Sequence, residues 1–154
     1  MSLSIENVPI SFNGVSVSYT TKWFRVDGDG GANIYHDPCW QADTSAHTVD
    51  GKPVDALSIP YVVANPLVAA AVPGVVLGCR AQVTYRGKTV EAVVADIGPR
   101  KKIGEGSIKL AELLGMPKSP ISGGEEGEPV TWVIYPGMPA NLNGVQFKLK
   151  KLGS

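Results

Sequence analysis

Apolar and polar residues alternate along much of this 154-residue chain, in short runs that turn-forming residues separate. Residues 5–26 hold two such runs with Asn13 and Gly14 between them, a pattern typical of a β-hairpin that leads into a longer strand. A second hairpin is predicted over residues 78–95, with its turn centred on Gly87. Further strands are predicted over residues 57–63, 130–135 and 145–149.

Helix signals are concentrated in one segment, residues 107–115. Ser107 can cap the helix through its hydroxyl, and Gly115 with Pro117 ends it. The apolar residues of one helical face are Ile108, Leu110, Ala111 and Leu114. The chain also contains 18 glycines and 12 prolines, which favour turns over long helices. We therefore predict a mainly β fold with one short helix and long surface loops, the longest over residues 37–55.

A length of 154 residues suits one hydrophobic core. We predict a single domain over residues 1–154, with residues 1–4 and 152–154 flexible, and a monomer as the default state. The longest apolar stretch, residues 62–77, is interrupted by asparagine, proline and glycine. It is shorter than the roughly 18 to 20 apolar residues that cross a bilayer. We therefore expect no membrane partner.

Charge and cysteine content argue against several classes of function. The formal net charge is zero and only 7% of the residues are aromatic, whereas nucleic-acid-binding proteins typically combine a basic excess with interleaved aromatic residues. We expect no nucleic-acid partner. Cys39 and Cys79 lack the spacing of a zinc site. The sequence leaves open whether they form one disulfide or remain two separate buried thiols.

Two carboxyl groups in residues 92–107 are the strongest candidates for chemistry. An apolar strand ends at Asp96, a Gly-Pro turn follows, and Glu105 comes just before the predicted helix. Glycoside hydrolases use such a pair, one group to protonate the leaving oxygen and one to activate water, and inverting enzymes hold the two roughly 6.5–9.5 Å apart. Residue types alone favour a plainer interpretation, because Asp is common before turns and Glu is common at helix N-termini.

This segment resembles the chitosanases of glycoside hydrolase family 75. Residues 96–99 read Asp-Ile-Gly-Pro and residues 103–107 read Ile-Gly-Glu-Gly-Ser, which match the family's Asp-Xaa-Gly-Pro and Ile-Gly-Glu-Xaa-Ser motifs. Further similarity lies in residues 27–30 (Asp-Gly-Asp-Gly), 56–63 and 130–136. The resemblance implies a hydrolase that cleaves internal β-1,4 bonds of chitosan, a glucosamine polymer. It also implies an inverting two-carboxylate mechanism without a metal or an organic cofactor.

The same blocks are similar to the double-psi β-barrel of small cellulases, expansins and RlpA-like proteins. That similarity implies a six-stranded double-psi-like β-barrel. In this comparison Glu105 falls where the cellulases keep their catalytic acid. We therefore assign Glu105 as the general acid and Asp96 as the general base, although the residue pattern does not decide between this assignment and its reverse.

Candidate substrate-binding residues lie in the early acidic loop and after the Gly-Pro turn. They are Asp27, Asp29, Tyr35, His36, Trp40 and Arg100. Asp27 and Asp29 match the family motif, and their charge suits the ammonium groups of glucosamine, as does the charge of Asp37 and Asp43. Their segment lacks the later ligands and the closing Glu of an EF-hand, so we predict no metal site.

The aromatic and basic candidates need separate interpretation. Trp40 lies in a predicted loop and is the tryptophan that we expect to be exposed for sugar stacking, whereas Trp132 alternates within an apolar strand and is expected in the core. Arg100 begins a basic triplet with Lys101 and Lys102 that would repel a cationic substrate. We expect a solvated loop there, with Arg100 as its candidate contact to substrate.

Two other functions remain alternatives. One is hydrolysis of peptidoglycan glycan strands by a protein of a phage or toxin-delivery system, because that polymer is also a β-1,4-linked amino-sugar chain. The other is a non-catalytic glycan-binding barrel, which would be indicated if Asp96 and Glu105 pointed apart. A polysaccharide partner implies an extracellular or exported protein. The first residues lack the features of a signal peptide, so we expect either prior removal of a signal or export by another route.

Overall fold

Ten strands and two short helices make up the described part of the protein. The computed structural model describes residues 2–45 and 53–151. The strands are β1 (Leu3–Ile5), β2 (Val8–Phe12), β3 (Val17–Asp27), β4 (Tyr61–Ala64), β5 (Cys79–Tyr85), β6 (Lys88–Ile97), β7 (Glu105–Ser107), β8 (Glu125–Pro139), β9 (Asn141–Leu142) and β10 (Val145–Gln146). The helices are α1 (Pro66–Ala71) and α2 (Ile108–Leu113).

Six of these strands close into a barrel. Strands β3, β7, β4, β6, β5 and β8 pair in that order, and β8 pairs back with β3. The predicted mainly β fold with a six-stranded barrel is confirmed. Closure leaves no free edge in the barrel sheet, so its backbone groups are paired within the protein.

Local turn chemistry produces both predicted hairpins. Between β2 and β3, Asn13 Oδ1 accepts hydrogen bonds from Val15 N at 2.9 Å and Ser16 N at 2.8 Å. Between β5 and β6, Arg86 and Gly87 form the turn with φ of 49° and 77°. Two residues with positive φ suit a hairpin because their backbone twist matches that of the strands.

Two parallel pairings bring distant segments together at one end of the barrel. Strand β3 runs parallel to β7, β4 runs parallel to β6, and β4 also meets β7 where Val62 pairs with Gly106. Strand β4 therefore lies between β6 and β7. Because β6 reaches its end just after Asp96 and β7 begins at Glu105, this strand order brings the two predicted catalytic residues to the same end of the barrel.

Two predicted strands are shorter in the structure, and the strand predicted over 130–135 is longer, as β8 (Glu125–Pro139). Strand β4 begins at Tyr61, not at residue 57, because Asp55 folds the preceding residues into a turn: its Oδ1 accepts from Leu57 N at 2.9 Å and its carbonyl from Ile59 N at 2.8 Å. The strand predicted over 145–149 is limited to β10, since β10 pairs only with the two-residue β9.

Aromatic stacking fills the barrel interior. Trp132 is fully buried, as predicted, and its ring stacks on Tyr19 and Phe24 with centroids 6.1 and 5.2 Å away. Its Nε1 donates to Thr21 Oγ1 at 3.0 Å, so the burial of this indole leaves no polar atom unpaired. The predicted helix is also confirmed as α2, capped by Ser107, and its four apolar residues are buried.

Parts of two predictions fall outside the described residues. These parts are residues 1 and 152–154, which were expected to be flexible, and residues 46–52 of the predicted loop over 37–55. Within the described residues, Leu3 and Ser4 pair with β2 as part of β1. No helix in the described ranges has the length and apolar character needed to cross a membrane.

The prediction of one helix is wrong, because α1 forms a second. Asn65 caps it by accepting hydrogen bonds at Oδ1 from Leu67 N at 2.8 Å and Val68 N at 3.2 Å, and Pro66 occupies the first turn. The Nδ2 of the same side chain donates to the carbonyls of residues 99, 100 and 102, at 3.4, 3.0 and 2.8 Å. Asn65 therefore joins α1 to the loop between Asp96 and Glu105.

We predict that Asn65→Ala lowers the free energy of unfolding by about 2–4 kcal/mol, because it removes a helix cap and the hydrogen bonds that Nδ2 donates to three carbonyls of the loop. Urea denaturation followed by circular dichroism measures this loss. Asn65→Asp keeps the cap acceptor and loses the Nδ2 donor, so it reports the loop contacts separately. A loss below about 0.5 kcal/mol in both variants would contradict the role assigned to Asn65.

Candidate functional site

The ends of β3, β6 and β7 surround a cleft of about 290 Å³, here called the acidic cleft. The carboxyl groups that line it belong to Asp27, Asp29, Asp37, Asp96 and Glu105. Both predicted catalytic residues therefore face one cleft, together with two of the predicted substrate-binding residues. No Lys or Arg is among the residues that line it in the described part of the chain.

Strand register explains why the two catalytic candidates meet. Asp96 pairs with Val63 on one side of β4, and Gly106 pairs with Val62 on the other. The backbones of β6 and β7 are therefore two strand spacings apart, roughly 10 Å. Asp96 and Glu105 both line the acidic cleft and come from strands on opposite sides of β4.

Hydrogen bonds to one carboxylate oxygen hold Asp96 in place. Asp96 is 9% exposed, and its Oδ1 accepts from Ser45 N at 3.3 Å, Ser45 Oγ at 3.1 Å and its neighbour Ile97 N at 3.0 Å. These three donors fix the orientation of the Asp96 carboxyl group. Sequence reasoning missed Ser45, because it lies in a loop without periodicity and far along the chain from Asp96.

Three carboxyl groups crowd together at the floor of the cleft. Carboxylate oxygens of Asp27, Asp29 and Asp96 all lie within 4.8 Å of one another. The pKa of Asp27 is raised to about 8, mainly by burial; a hydrogen bond from Asp29 N lowers it, and the charge of Asp96 raises it. Burial also raises the pKa of Asp29, whose Oδ1 accepts from Gln41 N at 2.8 Å. At neutral pH the cluster therefore holds a proton, mainly on Asp27.

Glu105 lies in a different electrostatic environment. Burial raises its pKa, the charge of Arg25 lowers it, and the charge of Asp96 raises it, with a net increase. Arg25 forms a bidentate ion pair with Glu6, at 2.7 and 2.8 Å. A side chain at residue 98 would crowd this region, since a Cβ there would lie 2.9 Å from a methyl of Val63 and 3.6 Å from Glu105 Oε1.

Hydrogen bonds of Tyr61 and Ser107 join the elements that carry the cleft residues. The Tyr61 hydroxyl donates to the Asp29 carbonyl at 3.0 Å, and burial raises the pKa of this phenol above its ordinary value. Ser107 Oγ accepts from Tyr61 N at 2.9 Å and from Leu110 N at 3.2 Å, and it donates to the Ile59 carbonyl at 2.7 Å. One hydroxyl thus links the end of β7 to β4 and to α2.

The remaining predicted substrate-binding residues lie outside the lining of the acidic cleft: Tyr35, His36, Trp40 and Arg100. Tyr35 packs against the core, His36 is exposed with φ of 54°, and Arg100 is exposed on its loop. The expectation that Trp40 is exposed is wrong. Trp40 is half-buried, because its Nε1 donates to the Gly31 carbonyl at 3.0 Å.

The two cysteines occupy different environments. Cys39 is an exposed free thiol at the acidic cleft, and Cys79 is a buried free thiol whose Sγ donates to the Gly74 carbonyl at 3.4 Å. Of the two possibilities that the sequence left open, the structure has two separate thiols, and the expected burial is wrong for Cys39. Gln41 also lines the cleft and, like Ser45, had no signal in the sequence.

Neither the protein-family models nor the curated proteins contain a match to this sequence. The resemblance of residues 96–107 to family 75 chitosanases therefore stays a prediction. The chemistry of the acidic cleft is therefore the basis for the function proposed below.

We predict that Asp27→Asn flattens the dependence of stability on pH. Because the pKa of Asp27 is raised from 3.8 to about 8, the folded protein keeps a proton that the unfolded chain releases. The free energy of unfolding therefore falls as pH rises from about 4 to about 8, and Asn removes this loss. Above pH 8 the variant should exceed the original protein by about 1 kcal/mol or more, roughly 2–4 °C in Tm.

Thermal unfolding between pH 4 and pH 9 tests this prediction. Asp37→Asn is the matched control, because Asp37 lines the same cleft and its Oδ1 accepts from Cys39 N at 2.9 Å, a bond that Asn can keep. Equal pH dependence in Asp27→Asn and the original protein would contradict the protonated state of Asp27.

Proposed function

We propose that this protein is an inverting glycoside hydrolase that cleaves internal β-1,4 bonds of chitosan. The observation that carries the proposal is the acidic cleft, which five carboxyl groups line and no described Lys or Arg side chain enters. Chitosan carries ammonium groups on its glucosamine units, and a cleft of one charge attracts a substrate of the opposite charge. Such a substrate lies outside cells, so we also propose that the protein is exported.

In the proposed reaction Glu105 is the general acid. Burial raises its pKa, which is the direction that a general acid requires. Glu105 donates that proton to the glycosidic oxygen as the bond from this oxygen to the anomeric carbon breaks. The leaving sugar chain departs with a neutral hydroxyl group.

Asp96 is the general base of the same step. The donors of Ser45 and Ile97 hold its carboxyl group in position. Asp96 takes a proton from a water molecule, whose oxygen attacks the anomeric carbon from the face opposite the leaving group. The configuration at that carbon is inverted. Exchange of protons with solvent then restores the protonated Glu105 and the ionised Asp96.

The acidic cleft also bears on the alternatives. Peptidoglycan carries carboxyl groups and acetylated amines, so its strands gain less than chitosan from a cleft of negative charge. A non-catalytic barrel does not need Asp96 and Glu105 in one cleft with different hydrogen-bond environments. The basic triplet that would repel chitosan is exposed and lies outside the cleft lining, which removes an objection to a cationic substrate.

We predict that the protein releases reducing ends from soluble chitosan and that Glu105→Gln and Asp96→Asn each lower kcat by on the order of a thousandfold. Reducing-sugar assays measure the rates, and proton NMR of the first products should show the inverted anomer. Asp37→Asn is the control, because Asp37 shares the cleft and has no role in the proposed step. Cleavage of purified peptidoglycan alone would change the substrate. Cleavage of neither polymer would overturn the proposed function.

We predict a positioning role for Ser45. Ser45→Ala removes the Oγ donor to Asp96, and a hydrogen bond to a charged group is worth about 1.5 kcal/mol, so kcat should fall roughly tenfold. KM should change little, since Ser45 is not needed to attract substrate. Ser45→Thr keeps a hydroxyl and should recover most of the rate. An unchanged kcat in Ser45→Ala would contradict this role.

A further inference from the structure

A second groove continues from the acidic cleft. It has a volume of about 420 Å³ and lies along the end of β3, and we call it the Trp23 groove after its central residue. Val26 and Pro120 line both the groove and the acidic cleft. A chain-like ligand in the cleft can therefore pass over these two residues into the groove.

The Trp23 ring is fixed relative to Glu105. Its Nε1 donates to the Ile103 carbonyl at 2.8 Å, two residues before Glu105. Gly104 allows this contact, since a Cβ there would lie 2.7 Å from the indole nitrogen. The Arg25 guanidinium lies 5.1 Å from the ring centroid and packs over the ring. An aromatic ring already held in place binds a ligand with little loss of conformational entropy.

Glu126 lies beside this ring on the neighbouring strand. It pairs with Trp23 in the β3–β8 register, and directly paired residues point to the same face of a sheet. Glu126 is exposed and lines the groove. The neighbouring Glu125 differs, because its carboxylate accepts from the Tyr85 hydroxyl and from Glu128 N.

Two basic residues also line the groove, and they are not equivalent. The guanidinium of Arg25 is paired with Glu6 in a bidentate ion pair. Lys22 is exposed at the groove. A cationic ligand is therefore attracted by Glu126 and repelled by Lys22. Removing the charge of each residue should change the affinity for such a ligand in opposite directions.

We propose that the Trp23 groove binds glucosamine units of the chitosan chain beyond the cleavage site. The apolar face of a sugar ring packs on the exposed part of the indole, and the ammonium group of that sugar pairs with Glu126. The groove thereby sets how many sugar units the enzyme must hold for efficient cleavage. This inference rests on the proposed function, because it takes chitosan as the ligand.

The test uses Glu105→Gln as a protein that binds without cleaving. Isothermal titration calorimetry compares a glucosamine disaccharide, which is short enough for the acidic cleft, with a hexasaccharide that extends into the groove. Adding Glu126→Gln should weaken hexasaccharide binding about twofold to fivefold, the range of exposed ion pairs, and should leave disaccharide binding unchanged. Lys22→Gln should strengthen hexasaccharide binding by a similar factor.

Matched variants separate recognition from general effects. Glu128→Gln removes the same charge from β8 at an exposed position outside the groove and should have no effect. Trp23→Phe keeps an aromatic ring without the bond to Ile103 and should weaken only the hexasaccharide. Thermal unfolding confirms that each variant is folded. If Trp23→Phe does not fold, the opposite changes in hexasaccharide affinity in Glu126→Gln and Lys22→Gln still test the proposed binding in the groove.

The outcomes distinguish this inference from the proposed function. Equal hexasaccharide affinity in Glu105→Gln with and without Glu126→Gln contradicts sugar binding in the Trp23 groove, even if the original protein cleaves chitosan. Absence of binding by both oligosaccharides also contradicts sugar binding in the Trp23 groove. Absence of chitosan cleavage, with hexasaccharide binding that depends on Glu126 and Lys22, overturns the proposed function and leaves the groove as a site for cationic sugars.

Discussion

The placement of β4 between β6 and β7 is the constraint on which the candidate site depends. Asp96 and Glu105 are nine positions apart in the chain, yet they approach the cleft from opposite sides of this strand. The residues around β4 serve the same arrangement. Asn65 ties the loop between the two carboxyl groups to α1, and Ser107 fixes β7 against β4. The geometry of the carboxyl pair is therefore a property of the barrel and not of the connecting loop.

Crowding of acidic groups at one end of a barrel opposes folding, and the structure offsets this in two ways. A proton on Asp27 relieves repulsion beside Asp96, and backbone donors satisfy oxygens of Asp27 and Asp29. Apolar stacking around Trp132 stabilises the other part of the barrel without any charged group. Functional sites commonly retain such locally unfavourable groups at the expense of stability.

The parts of the fold that local patterns determine could be predicted from the sequence. The Asn13 turn, the Gly87 hairpin and the Ser107 cap depend on residues within a few positions of one another. Strand β7 could not be predicted. It is only three residues long, glycines stand on both sides of Glu105, and its pairing partners are far away in the chain. Ser45 illustrates the same limit for the site, since its role comes from a contact across 51 positions. The motif resemblance identified Asp96 and Glu105, but it carried no information on what holds them.

Glu6 connects the backbone segment before Glu105 with the Arg25 side chain that packs over Trp23. Its carboxylate accepts from Ile103 N at 2.9 Å and binds Arg25, so it fixes both the backbone that leads to Glu105 and the cation that packs over Trp23. Hydrogen bonding to Arg25 lowers the pKa of Glu6, which keeps this ion pair formed across the neutral range. The charge of the same Arg25 lowers the pKa of Glu105, while burial raises it. The turn between β1 and β2, remote from the cleft in sequence, thus holds the cation that opposes the effect of burial on Glu105.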